Sequence, residues 1–231
     1  MKNVVKKTVV LMSVIFAQSS FGQAIFQGYD MAVSNPAGVV AAMDRFMASP
    51  TAQAFTGSVF LYQYIANGES EATHNILVVH NSPEEFNQSL AAQSSSLDSA
   101  LFLTEMNQAA QVVNTNIGQI LASSGTPVTS PNRAGMWYFL SVEDPAAYAS
   151  AWTAMAEANQ ESGQAFLSSS IADGENPTTH IAVNWYSSPG EALMNQPQTY
   201  NGWERFSSSV RDIRTIEGTA MVQLLKSWTS Q

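Results

Sequence analysis

The residues of this chain with most chemistry in them are few. His74, His80 and His180 are its three histidines. An imidazole changes charge near neutrality, and beside a carboxylate such as Asp30 it has the equipment of a general acid or base. Asp30 and His80 are therefore the candidate catalytic pair. Asn184, Tyr186 and Trp137 join Asp30, His74, His80 and His180 as candidate ligand-binding groups, on the strand faces derived below. A plainer reading competes for two of them. His74 and His180 each follow a threonine at a strand start, where a shared hydrogen bond to the hairpin accounts for them equally well.

Other chemistries find no support. The histidines lack the His-Glu-x-x-His or other close spacing of a zinc site, so no metal is expected. No glycine-rich dinucleotide turn or P-loop occurs, and no Gly-x-Ser-x-Gly elbow. The serine runs 94–96, 168–170 and 207–209 read as polar surface or strand filling. The chain has no cysteine, which excludes disulfides, thiolate ligands and cysteine nucleophiles. Ten methionines and 10% aromatic residues indicate core material more than a ligand box.

The elements that position these residues come as a repeated unit. Residues 65–86 align without gaps to 171–192 at an offset of 106, with nine of 22 positions identical. Chance would give about one or two. Asn67-Gly68 and Asp173-Gly174 are hairpin dipeptides in the two copies. Ser82-Pro83-x-Glu85 and Ser188-Pro189-x-Glu191 are helix starts, with serine as N-cap, proline at the first position and glutamate closing a capping box. Upstream, Asn35-Pro36 matches Asp144-Pro145 at an offset of 109, and the apolar stripe Val39, Met43, Phe46, Met47 matches Tyr148, Trp152, Met155, Ala156. Downstream, 118–123 resembles 222–227 at an offset of 104.

Each copy therefore reads strand, helix, strand, turn, strand, helix, strand. Strands are expected near 25–33, 57–65, 73–80 and 112–122, then near 136–142, 164–171, 179–186 and 215–228. Helices are expected near 36–48, 83–107, 145–158 and 189–212, the second and fourth broken, the fourth around Pro197. The fold class is α+β: two tandem ferredoxin-like βαββαβ units, residues 23–123 and 135–231, joined by a Gly/Pro/Ser/Asn linker at 124–134. Such a unit covers one sheet face with helices and leaves the other bare. The second sheet is the natural cover, so the antiparallel sheets are expected to face each other as a pseudo-dimeric α/β barrel. Pairing with a second chain is the alternative.

Alternation assigns side chains to faces. Tyr29, Met31, Val33 and their counterparts Tyr138, Leu140, Val142 form a helix-facing set. Gly28, Asp30, Ala32 and Trp137, Phe139, Ser141 point the other way. On the hairpin strands, the more apolar set Leu77, Val79, Ile181, Val183, Trp185 is assigned to the helix-covered core. That sends all three histidines, Asn184 and Tyr186 to the space between the sheets. Trp152 and Trp185 are expected between helix and sheet. Small Gly28 and Ala32 against large Trp137, Phe139 and Tyr186 predict room on the first copy's side, nearer His80 and Asp30 than His180.

An Asx-Pro helix start after the first strand, a hairpin, and a third strand running into Ser-Pro-x-Glu resemble the dimeric α/β-barrel superfamily, of which antibiotic-biosynthesis-monooxygenase-like domains are typical. The resemblance covers nearly all of residues 23–231 and is specific for topology. It implies a group that includes cofactor-free oxygenases, haem enzymes, isomerases and sensors. No cofactor is required by the sequence; haem held by one histidine is compatible with the resemblance, which selects none of the three.

The N-terminus carries an export grammar: Lys2, Lys6 and Lys7, then apolar Val9 to Ala17 interrupted only by Ser13, then the small-x-small Ser20-Phe21-Gly22. The run is too short for a membrane span, which takes roughly 20 residues. Cleavage after Gly22 or Ala24 is expected, with residues 1–22 as signal peptide and a periplasmic or secreted product. Losing three lysines leaves six basic against 18 acidic residues, a formal charge of −12. That disfavours nucleic acid and anionic membranes as partners. The preferred function is binding of a small, partly apolar molecule between the sheets, by a monomer or homodimer. The rivals are a cofactor-independent monooxygenase-like or haem-dependent oxidoreductase, and a structural or interaction protein.

Overall fold

The computed structural model describes residues 24–229; the expected signal peptide lies outside them. The first copy runs β1 (Ile25–Val33), α1 (Pro36–Met47), α2 (Pro50–Gln53), β2 (Ser58–Ala66), β3 (His74–His80), α3 (Pro83–Ser94), α4 (Leu97–Ala109) and β4 (Ala110–Gly125). The second runs β5 (Ala134–Val142), α5 (Pro145–Glu157), β6 (Gln164–Ala172), β7 (His180–Tyr186), α6 (Pro189–Met194), α7 (Trp203–Val210) and β8 (Arg214–Thr229). The second helix of each copy is broken, as expected, between α3 and α4 and around Pro197 between α6 and α7. Gly68 and Gly174 sit in the hairpin turns at φ 67° and 59°, the region Asn-Gly and Asp-Gly turns require.

The eight described strands close into one antiparallel barrel in the order β1-β3-β2-β8-β5-β7-β6-β4, with β4 returning to β1. The two sheets thus join along both edges. The joins come from the 16-residue strands β4 and β8. The start of β4 pairs with β1 and its end with β6; β8 pairs with β5 and then β2. Each long strand leaves its own sheet half-way to complete the other, so no edge is left unpaired.

Helices cover the outside. One core lies between α1, α4 and the first sheet, with Met31, Val39, Met43, Leu61, Ile76 and Met106. Its equivalent in the second copy holds Leu140, Tyr148, Trp152, Leu167, Phe206 and Val210. The barrel interior is a third core, filled by Tyr62, Trp137, Trp185, Val222 and Leu224, with Phe60, Tyr64, Leu77, Phe139, Phe166 and Val183 against them. Eight strands enclose a space side chains can fill, and aromatics do so here. The Tyr62 and Trp185 rings stack at 5.1 Å. The Arg133 guanidinium lies over Phe60 and Trp185 at 5.2 and 5.9 Å, at the end of the barrel where β5 begins.

This arrangement corrects the face assignment on the hairpin strands. Leu77, Val79, Ile181, Val183 and Trp185 point into the barrel, and Trp185 is not between helix and sheet. His74, His80, His180, Asn184 and Tyr186 are on the helix side, not between the sheets. The reason is that both faces of a closed barrel sheet are buried, so greater apolarity no longer marks the helix side. Register settles it: Asp30 lies opposite Asn75 and Tyr29 opposite Ile76, and directly opposed residues share a face. The first-strand faces and Trp152 stand as expected.

Candidate functional site

The seven candidate residues separate into two places. Asp30 and Trp137 face the barrel interior; His74, His80, His180, Asn184 and Tyr186 face outward. In both copies the imidazole Nδ1 of the first β3 or β7 residue sits 2.9 Å from the hydroxyl of the preceding threonine, Thr73 or Thr179. Each threonine Oγ1 in turn accepts from a backbone amide, Val33 at 3.0 Å or Val142 at 2.9 Å. His74 and His180 thus belong to a repeated clamp between the hairpin and the first strand of each copy. His80 is fully buried, edge-on to Phe55 and Phe86 at 5.2 Å from each. Its Nε2 lies 3.3 Å from Gln27 Oε1, and its Nδ1 has no hydrogen-bond partner. Burial pushes the His80 imidazole below its ordinary value, and the charge of Glu85 opposes this. At the matching position Tyr186 donates to the Asn195 carbonyl at 2.7 Å and hydrogen-bonds Tyr200.

A large cavity lies on the helix side of the first copy. It has a volume of about 580 Å³. Its floor is Gln27, Tyr29, Met31, Val59, Ile76 and Val78 of the sheet. Met43, Phe46, Met47 and Phe55 form one wall; Phe102, Leu103 and Met106 of α4 form another, and α3 spans the opening with Glu85, Gln88 and Gln93. Apolar walls with a few polar groups are the usual build of a small-molecule pocket. Ser99 Oγ is among those polar groups and has no hydrogen-bond partner. Tyr29 is another, its hydroxyl pushed up by burial. His80 is outside the lining but tied to it through Gln27.

The second copy fills the same space. Tyr148 and Trp152 stand where the first copy has Val39 and Met43, and the Tyr148 ring packs on Phe206 at 5.9 Å. In the first copy Phe102, the counterpart of Phe206, stacks instead on Phe46 at 4.7 Å. Beside Trp152 a void of only about 20 Å³ remains. The exchange of Met43 for Trp152 at a position that lines the cavity is the sequence signal for it. Room does lie on the first copy's side, but outside the barrel.

Among the described residues, no group of three or more His, Cys, Asp or Glu side chains could hold a metal ion. The cavity does not fit haem. Its lining contains no histidine or cysteine to hold an iron and no lysine or arginine to meet propionates. Its methionines would be axial ligands only beside a histidine, and burial pushes the Tyr29 hydroxyl up, against a tyrosinate ligand. Among the described residues no helix is long and apolar enough to cross a membrane.

No family model matches the chain, and no curated protein does. Solved structures match it over most of their length. A candidate monooxygenase from Fusobacterium nucleatum shares 15% identity at a TM-score of 0.61, over 90% of this chain and 95% of that one. An anthrone oxidase-like protein shares 11% at 0.56, over 90% and 94%. A heme-binding protein from Thermus thermophilus shares 10% at 0.51, over 88% and 92%. The likeness is one of architecture, and with the closed eight-stranded topology it gives the chain its place: this is a dimeric α/β-barrel fold in which both ferredoxin-like units belong to one polypeptide.

Proposed function

We propose that this protein binds a small, largely apolar, ring-bearing molecule in the cavity between the first sheet and helices α1 to α4. The observation that carries this is the asymmetry of the two copies. One repeat closes the helix–sheet space with Tyr148 and Trp152, and the other leaves about 580 Å³ open among methionines and phenylalanines. A packed interior ordinarily has no void of that size. Methionine side chains adapt to ligands of varied outline. Met43→Trp, which imports the residue of the second copy, is expected to fill the cavity. Titration with 2-naphthol or anthrone, followed by fluorescence, should then show at least tenfold weaker binding with the melting temperature kept. Equal binding by wild type and Met43→Trp would overturn the assignment.

A second reading is oxidation of the bound molecule without a cofactor. The polar groups at the wall support it: Tyr29, Ser99, Glu85, and Gln27 with His80 behind it. So do the names of two similar structures, a candidate monooxygenase and an anthrone oxidase-like protein. Oxygen consumption on addition of anthrone distinguishes this reading from binding alone. The N-terminal export grammar supports action in the periplasm or outside the cell. An intact mass starting at Gln23 or Ile25, for protein from the natural host, tests that.

A further inference from the structure

The barrel mouth at the hairpin end holds polar groups that the cavity does not use. Asp30 Oδ1 accepts from Tyr64 Oη at 2.6 Å and from Asn75 Nδ2 at 2.8 Å. Both bonds fall on one oxygen, which leaves Oδ2 as a charged acceptor. Asn75 is 2% exposed, and its Oδ1 has no partner. The Oδ1 of Asn116 is also buried without a partner; it occupies the space a Cβ would take at Gly28, two residues along β1 from Asp30. Across the barrel the Trp137 ring lies 6.2 Å from Tyr64, and its Nε1 is buried and unpaired. Asp173 joins the rim through Asn114 Nδ2 at 3.1 Å. Burial raises the Asp173 carboxyl, the Asn114 hydrogen bond opposes this, and the charge of Asp30 adds to the rise.

The fold does not require these groups. At the matched positions the second copy has Phe139 for Asp30, Ile181 for Asn75, Ser170 for Tyr64 and Ala220 for Asn116. Buried polar atoms are normally satisfied, and leaving one unpaired is destabilising. Both described ion pairs, Arg45–Glu105 and Lys226–Asp44, involve other carboxylates. Asp30, Tyr64 and Asn116 are only partly buried, which puts them at the rim, with Asn75 and Trp137 beneath them.

We infer that this mouth is a binding site for a primary ammonium group. Such a group has three N–H donors and no acceptor. The mouth offers it Asp30 Oδ2 and Asn75 Oδ1, with the Tyr64 and Trp137 rings beside the charge. The Trp137 N–H is left to bond an acceptor elsewhere on the ligand. The site is on the opposite face of β1 from the apolar cavity and stands independently of that reading.

The test follows the Trp137 indole N–H resonance, assigned with Trp137→Phe, as methylammonium is titrated into the full-length mature protein. A saturable shift is expected, with affinity at least tenfold weaker in Asp30→Asn. The double variant Asp30→Phe/Asn75→Ile, which carries the second copy's residues, should fold and show no shift; if it fails to fold, Asp30→Asn decides. Three results would overturn the site: no shift in the wild type, an equal shift with tetramethylammonium (which has no N–H to donate), or an affinity unchanged in Asp30→Asn.

Discussion

His80 shows how strand alternation can put a side chain on the wrong face. Alternation and the greater apolarity of the opposite set put it between the sheets, yet its ring is buried under Phe55 and Phe86 on the helix side. The tie to Gln27 still leaves it one residue from the cavity. Burial lowers the pKa of His74, His80 and His180 alike. The unfolded chain therefore binds more protons than the native one between the ordinary value of 6.5 and the lowered native values. Stability should be full above pH 6.5 and fall as the pH drops below it. Urea midpoints at pH 7.5 and 5.5 measure this, ahead of most carboxylate titration. A midpoint equal or higher at pH 5.5 would contradict neutral burial of these rings. Asp30, by contrast, was legible in place, because its face follows from the apolar Tyr29, Met31, Val33 set. Its partners Tyr64 and Asn75 were not, since they depend on strand register.

At the scale of elements, helix starts were the most legible feature. Asn35, Ser82, Asp144 and Ser188 each accept from a backbone amide three residues on. The glutamate of each Ser-Pro-x-Glu motif returns one residue earlier than a capping box does, to the amide of Asn81 or Ser187. Ser82→Ala and Ser188→Ala should each cost about 1 kcal/mol, the usual value of such a cap. Chemical denaturation of the single variants checks this. The Ser188 change bears on a six-residue helix with Ala192 buried beneath it. The Ser82 change bears on α3, which buries no side chain. The larger loss is therefore expected for Ser188→Ala. What the elements concealed was the length of β4. β8 runs Arg214–Thr229, as expected to within one residue, but β4 continues past the expected end at 122 to Gly125, where it is held by β6 of the other unit and not by local alternation.

At the scale of the molecule, the two units share their strands. The seams β2–β8 and β4–β6 make each sheet incomplete without the other, and Tyr62 of the first unit packs against Trp137 and Trp185 of the second. The chain should therefore unfold in one step, with far-ultraviolet and tryptophan near-ultraviolet dichroism giving the same midpoint in urea. Two separated transitions would show that the barrel is not the cooperative unit. The sequence by itself determined the repeat, the order of elements, the helix starts and hairpins, and the barrel class of fold. These rest on local rules: turn residues, caps and periodicity. Only the tertiary structure decided which face of each hairpin strand looks inward, because closure buries both faces and removes the polar–apolar contrast on which alternation depends. It also decided where space is left. Volume is a property of facing side chains, so Met43 and Met47 border a cavity only once α4 and the sheet stand opposite them.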